Sequence, residues 1–322
     1  LTMSIGTTTA GSAVSAGPAP ARKRTRGWRG PLFIAAFVAP ALIVYVTLVL
    51  LPVALAAVYS FFNWNGLGAL ERFIGFDNYA RALTDPVFLS AISHNLGIVA
   101  LSLVIQGPLA ILIALLLNRP LRGRTLIRTL IFVPYVLSEV VAGLAFRLIL
   151  PPNGPFDGIL TALGWAGDKP NWLADPAIAF WTLFVVLTWK YLGFAIILML
   201  AGLQGVPEEL GEAAAIDGAS WWQIQRYVTL PLLAPTIRIW AFLSIIGSLQ
   251  LFDMVWILTG GGPLNSTTTM ATYMVDYGNQ RSQVGYGSAV AVILFVISLI
   301  IALAYQRFVL RRDLSGAITR GN

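Results

Sequence analysis

The chain has 322 residues, a formal net charge of +7, 57% hydrophobic and 11% charged residues, and a mean hydropathy of +0.77. A soluble domain is about a quarter charged. The shortfall, with several apolar runs of membrane length, excludes an ordinary soluble protein and indicates an integral membrane protein. No cysteine is present, which excludes disulfides, thiolate metal sites and cysteine nucleophiles, and the single histidine, His94, leaves little for a histidine metal centre or a catalytic triad.

Residues 1–27 are rich in Ala, Ser, Thr, Gly and Pro and end in the basic cluster "ARKRTRGWRG". Residues 1–30 are therefore expected to form a disordered basic tail. A cleavable signal peptide is disfavoured, because the apolar run after Arg29 is too long and lacks a small-residue cleavage pattern. Six apolar segments follow, at about 32–60, 92–117, 125–150, 178–204, 232–258 and 285–308. Each suits the roughly 20 residues that cross about 30 Å of hydrocarbon. They define a transmembrane domain over 31–312, followed by a short tail, 313–322.

Lys and Arg orient the spans. With a cytoplasmic N-terminus, fifteen of the 21 basic residues fall in inner loops, tails and adjoining span ends, among them Arg22, Lys23, Arg119, Arg122, Arg124, Arg226 and Arg311. Only four, Arg72, Arg81, Lys169 and Arg281, fall in outer loops, while Arg147 and Lys190 lie within or near the ends of spans. This positive-inside asymmetry predicts that both termini are cytoplasmic. It also explains the positive charge without nucleic acid. The outer loops "NWNGLGALERFIGFDNYARALTDP" and "PPNGPFDGILTALGWAGDKPNWLADP" read as ordered surfaces, either interfacial caps or docking sites for an external partner. "TGGGP", Thr259 to Pro263, reads as a turn at the outer rim, since no strand or following helix supports a phosphate cradle.

Between the fourth and fifth spans the chain becomes polar and well punctuated: "PEELGEAAAIDGASWWQIQRYVTLP", within a loop at 206–231. Pro207 suits a first helical position, and Glu208 and Glu209 put negative charge in the first turn. Gly218 can end the helix with a positive φ. Ser220 then caps a second short helix, "WWQIQRYV", closed by Pro231. Ala213, Ala214, Ala215 and Ala219 allow close approach of another backbone, and Glu212 and Asp217 offer charge to a basic partner. Trp221 and Trp222 either anchor the unit at the headgroups or fill a pocket. The charge asymmetry sets this helix–turn–helix on the cytoplasmic side.

Glu212, Ala213 and Ala214, then Gly218, then Val228, Thr229, Leu230 and Pro231 resemble the EAA loop of ABC importer permeases, with Val228 where the family usually has Ile. "AGLQGVPEELGEAAAIDGAS" and "LTGGGPLNSTTTMATYM" are similar to the sugar-transport, maltose-type branch. The resemblance covers about residues 30–315. It implies an all-α polytopic membrane protein with six transmembrane helices and a cytoplasmic coupling loop. That loop, through Glu208, Glu209, Glu212, Ala213, Ala214, Asp217, Gly218, Ala219, Leu230 and Pro231, would dock on a cytoplasmic ATPase pair. Rocking of the bundle would alternate access around a midplane site. The chain has no G-x-x-x-x-G-K-[ST] sequence, so ATP and Mg belong to the separate ATPase and this chain needs no cofactor. The resemblance also implies a second permease subunit, an extracytoplasmic solute-binding protein and residence in the cell membrane.

Glu139, Lys190 and Asp253 lie inside predicted spans, where a central charge costs about 3 kcal/mol on the insertion scale. They are expected to face the bundle, where they either form a structural ion pair, Lys190 with Asp253 or Glu139, or meet solute. "VPYVLSE", "TWKYLGF" and "SIIGSLQLFD" supply aromatic, hydroxyl and amide groups, Trp189, Tyr191, Phe194 and Gln250 among them. By resemblance to maltose-type permeases, the solute path takes in Tyr135, Glu139, Leu192, Gly193, Ile196, Ser244, Gly247, Ser248 and Leu251, and Lys190 is added as a charge deep in its span. Ser244, Gly247 and Ser248 would serve equally for close helix packing. Leu251 and Gly247 stand where the maltose permease offers larger or more polar groups, which argues against maltose itself and for another ligand. The rival cargo is glycerol-3-phosphate or another small polar solute. A membrane enzyme or an ion-coupled carrier would leave the capped loop unexplained.

Overall fold

The computed structural model describes residues 29–119 and 122–310. Residues 1–28 of the expected N-terminal tail and the expected C-terminal tail, 313–322, lie outside the described residues. Among the described residues the architecture is helical, with a single isolated antiparallel bridge between Phe62 and Phe73. The chain divides into two units between Pro52 and Val53.

Helix α1 runs through Arg29–Tyr45, a wide turn at Val46–Leu50, and Leu51–Tyr59. The part before the division is an apolar helix whose side chains are exposed, Phe37 at 80% and Leu48 at 70%. Such a helix is stable only in lipid or against another chain.

The second unit holds the end of α1 and the remaining helices: α2 (Asp77–Thr84), α3 (Pro86–Leu117), α4 (Arg124–Val136), α5 (Glu139–Ile149), α6 (Pro155–Ala162), α7 (Pro176–Leu203), α8 (Glu208–Ile216), α9 (Trp221–Leu249), α10 (Asp253–Leu258), α11 (Met270–Val275) and α12 (Val284–Leu310). Among the described residues five helices, α1, α3, α7, α9 and α12, are long and apolar enough to cross a membrane. The segment expected as one span at 125–150 is a bent pair, α4 and α5, meeting at 95°. Counted as one span, it makes six.

Prolines shape the long helices by one mechanism. A proline has no N–H and its ring crowds the carbonyl four residues back, so the preceding turn must widen or kink. Before Pro108 the Gly107 N–H reaches back five residues to Ser102 O, and before Pro231 the Leu230 N–H reaches Gln225 O in the same way. Neither helix stops. The second helix of the polar hairpin, expected to close at Pro231, instead runs on from Trp221 to Leu249 as one continuous helix. The fifth span, expected to reach 258, ends at Leu249, and the chain turns before α10.

Three apolar clusters hold the unit together. Near the end of α3, Ala110 and Ala114 pack with Met199 of α7 and Leu233 of α9, all fully buried. Midway, Leu183 of α7 packs with Met254 and Val255 of α10 and Ala142 of α5. At the start of α3, Phe88 packs with Tyr273 of α11 and Val290 of α12. Small residues set the closest approaches, as they do in membrane bundles: a Cβ on Gly193 would lie 2.3 Å from Ile131 O, so α7 crosses α4 at backbone contact.

The end where α3 and α7 begin is knitted by polar groups. Asn78 donates to Ser60 O and Phe62 O at 2.9 and 3.1 Å. Asp85 caps α3 through Val87 N and accepts from the Tyr273 hydroxyl at 2.9 Å. The buried Asp157 accepts from Asn153 N and Trp172 Nε1, which orders the segment before α7. "TGGGP" is a turn, with Gly260 and Gly261 at positive φ and the Thr268 hydroxyl donating to Gly261 O.

Candidate functional site

A cavity of about 190 Å³ lies among α3, α4, α7 and α9. One wall is polar. The Ser102 hydroxyl donates to Gln106 Oε1 at 2.6 Å and meets the Ser244 hydroxyl at 2.7 Å. A hydroxyl has one proton, so with Ser102 committed to Gln106, Ser244 is the donor of that second bond. Ser248 and Gly247 continue this wall along α9. The facing wall is aromatic: Tyr135 stacks on Phe194 with ring centroids 5.0 Å apart, and Tyr191 lies 6.4 Å from Tyr135. Trp240, Leu243, Leu251, Ile98, Phe184, Leu187 and Thr188 complete the lining, and among the described residues no Asp, Glu, Lys or Arg belongs to it.

Of the residues expected along a solute path, Tyr135, Ser244, Gly247, Ser248 and Leu251 line this cavity. The other five do not. Ile196 is buried in the first apolar cluster, Leu192 packs against it, and Gly193 is the α7–α4 crossing point. Lys190 is 3% exposed and donates to three backbone carbonyls, Pro134 O at 3.1 Å, Tyr135 O at 2.9 Å and Leu137 O. Glu139 begins α5 and accepts from the Tyr191 hydroxyl.

Asp253, expected deep in a span, is exposed at the first turn of α10, because α9 has already ended at Leu249. Among the described residues Lys190 makes no salt bridge with Asp253 or Glu139, the expected partners; its ammonium sits in the carbonyl cage, with the Glu139 carboxylate near enough to act on it electrostatically. Ser102 and Gln106 were not singled out from the sequence. Their signal is two polar residues four apart in an otherwise apolar run, which share one helix face.

The second feature is the polar hairpin. α8 ends in a Schellman arrangement: Gly218 N donates to Ala215 O and Ala219 N to Ala214 O, both at 3.0 Å, with Gly218 at φ +86°. Gln223 Oε1 then accepts from Ser220 N at 2.7 Å, fixing the start of α9. Glu208, Glu209, Glu212, Ala213, Asp217, Gly218 and Pro231 are exposed, and Ala214, Ala219 and Leu230 half-buried. Trp222 is 65% exposed, whereas Trp221 packs against the core and under the Arg119 guanidinium, 4.3 Å from its ring centre. A groove of about 710 Å³, bordered by Asn118, Arg119, Glu208, Glu212 and Trp221, runs between the hairpin and the ends of α3 and α7.

Comparison with known proteins bears on both features. Residues 106–313, which include most of the cavity and the whole hairpin, match the family described as the binding-protein-dependent transport system inner membrane component. The multiple sugar-binding transport system permease protein MsmF of Streptococcus mutans is 38% identical over 80% of this chain and 88% of its own. The trehalose/maltose transport system permease protein MalF of Thermococcus litoralis is 33% identical over 74% of this chain and 80% of its own. A chain of a bacterial alginate ABC transporter, solved in complex with an alginate pentasaccharide-bound periplasmic protein, superposes with a TM-score of 0.76 at 25% identity, covering 88% of this chain and 96% of that one. A bundle of membrane-length helices with a central cavity, matched over 106–313 and related along most of its length to transport permeases, is therefore a transport subunit and not an enzyme: the chain belongs to the binding-protein-dependent transport system inner membrane component family.

Proposed function

We propose that this chain is half of the translocation pore of an ATP-driven sugar importer and that the cavity among α3, α4, α7 and α9 is its share of the solute path. The observation that carries the reading is the cavity's chemistry. A stacked aromatic pair faces a serine and glutamine wall, with no formal charge in the lining. Sugars offer groups of both kinds, C–H faces for the rings and hydroxyls for the amide and serines. The names of the relatives, which include multiple-sugar, lactose and trehalose/maltose permeases, support a saccharide. A phosphate ester such as glycerol-3-phosphate would want convergent cations, and none lines the cavity.

The hairpin is the coupling element of this reading. Its exposed face, Glu208 to Gly218, docks on a separate cytoplasmic ATPase that holds ATP and Mg. A second permease subunit closes the other half of the pore, and an extracytoplasmic binding protein delivers the sugar to the end where α3 and α7 begin. The hairpin end and both termini are then cytoplasmic, a reading the positive-inside asymmetry supports, and the chain spans the cell membrane.

Uptake by the assembled transporter in proteoliposomes, with its binding protein, tests the cargo. Maltose, trehalose and lactose are offered against glucuronate and glycerol-3-phosphate. Preference for a neutral saccharide by about tenfold or more supports the reading; preference for an anionic solute overturns it.

A further inference from the structure

Lys190 is a buried ammonium that makes no salt bridge among the described residues, with Glu139 acting on it only at longer range, yet all of its hydrogen-bonding capacity is used. An ammonium has three N–H donors, and here they meet three carbonyls, Pro134 O, Tyr135 O and Leu137 O. These belong to the last turn of α4 and the first residue beyond it, where the chain bends by 95° into α5. A helix end inside a bilayer is a difficulty in its own right, because its last carbonyls have no intrahelical partner and no water to replace one. Ser138 caps the other side of the break by accepting from Val141 N. The neighbour of Lys190 on α7, Tyr191, donates to Glu139, the first residue of α5. Two consecutive side chains of one continuous helix thus grip both sides of the break.

The grip bears on the cavity. Tyr135, whose carbonyl Lys190 holds, presents its ring to the cavity, stacked on Phe194, and Tyr191 lines the same cavity with the ring of the side chain that holds Glu139. Lys190 itself is absent from the lining. Simple span-filling does not account for it: a charge at the centre of a span costs about 3 kcal/mol on the insertion scale, and an apolar residue would avoid that cost. What an apolar residue cannot do is satisfy the three carbonyls of a broken helix.

We infer that Lys190 is a positioning residue of the solute path: its carbonyl cage sets the α4–α5 bend and thereby holds the Tyr135 ring in the cavity wall, without touching solute. The inference rests on the reading of the cavity as the solute path. It predicts that replacing Lys190 loosens the bend and weakens solute handling together, and that a second cation at the position restores both.

The absence of cysteine makes the bend directly measurable. Spin labels are attached to Leu126→Cys on α4 and Leu148→Cys on α5, both outward-facing, in the assembled transporter with its other subunits made cysteine-free. The distance distribution is read beside KM and maximal rate for whichever of maltose, trehalose and lactose the parent takes up. Lys190→Met is expected to broaden the distribution and raise KM by about tenfold, the effect of losing one charge-assisted bond. Lys190→Arg is expected to keep a narrow distribution and stay within about threefold of the parent KM, less than one such bond. An unchanged distribution in Lys190→Met overturns the inference, as does a variant that lowers only the amount of assembled complex at parent KM. If neither variant assembles, Lys190 is a folding requirement and the positioning role falls. Tyr135→Ala separates the two readings. Should it leave KM unchanged while Lys190→Met still broadens the distance, the cavity is not the solute path, although the cage does set the bend.

Discussion

Asn95 of α3 joins the end of α9 to the start of α11. Its Nδ2 donates to Ser248 O at 2.7 Å and to Leu249 O at 3.3 Å, while its Oδ1 accepts from Met270 N at 2.9 Å. The residue is wholly buried. One side chain therefore satisfies the frayed carbonyls of a helix that stops inside the bundle and the free N–H of a helix that starts there. Asn95→Leu should cost about 1–3 kcal/mol for each buried group left unpaired. Thermal unfolding of the purified subunit complex measures it, and a melting temperature equal to the parent's would refute the bridge.

The hairpin depends on the left-handed conformation of Gly218. A Cβ there would meet nothing within 4 Å, so any penalty of substitution is conformational and not steric crowding. A non-glycine residue at this φ costs about 1–2 kcal/mol, and a β-branched one more. Gly218→Val should insert normally, lose the α8 terminus and abolish ATP-driven uptake, with Gly218→Asn milder because Asn tolerates this region. Parent-level uptake by Gly218→Val would sink the coupling assignment.

Two glycines separate packing from solute contact. Gly193 leaves no room for a Cβ against the Ile131 carbonyl, whereas Gly247 lines the cavity with nothing within 4 Å of its Cβ position. Gly193→Ala should lower the yield of folded protein, since backbone must shift by several tenths of an ångström or more in a close-packed interface. Gly247→Ala should fold as the parent does and change KM or sugar preference. The reverse pattern, a destabilised Gly247→Ala with parent kinetics, would make α9 a packing surface only.

The Tyr273 hydroxyl carries a pH signature. Burial, then hydrogen bonds with Tyr286 and Asp85, push its pKa well above the ordinary tyrosine value. A raised folded-state pKa contributes stability that is fully present below the unfolded value, about 10, and is lost as pH rises beyond it. Tyr273→Phe should therefore melt lower than the parent at pH 7, by a loss of about 1–2 kcal/mol. The gap should narrow as the pH rises above about 10, because the parent alone has this phenol to ionise on unfolding. Melts across that range check it; a gap independent of pH would remove Tyr273 from the account of alkaline stability.

Much of this was legible from residue order, and for local reasons. Apolar runs of membrane length mark spans because bilayer thickness sets the number of residues needed, and the turn at Gly218 follows from backbone geometry that any chain obeys. Pro207, expected as the first helical residue, instead precedes α8 in an extended conformation as its N-cap. Pro231 misled because a proline near a helix start was read as a boundary. With its N–H requirement removed, a single widened turn at Gln225–Thr229 lets the helix continue.

The polar residues inside the bundle were not legible in the same way. Lys190, Glu139 and Asp253 looked alike in sequence, three charges in apolar surroundings. Folding gave them three fates: a carbonyl cage, a bond from a tyrosine, and exposure at a helix start. Ser102 and Ser244 are 142 residues apart yet share a hydrogen bond. Composition, periodicity and turn chemistry are properties of neighbours along the chain, and they decided the class, the spans and the hairpin. Which polar group meets which, and which walls enclose the cavity, depends on where helices bend and how closely glycines let them cross. Those are properties of the packed bundle, settled only when distant segments compete for the same few unpaired donors and acceptors in a medium without water.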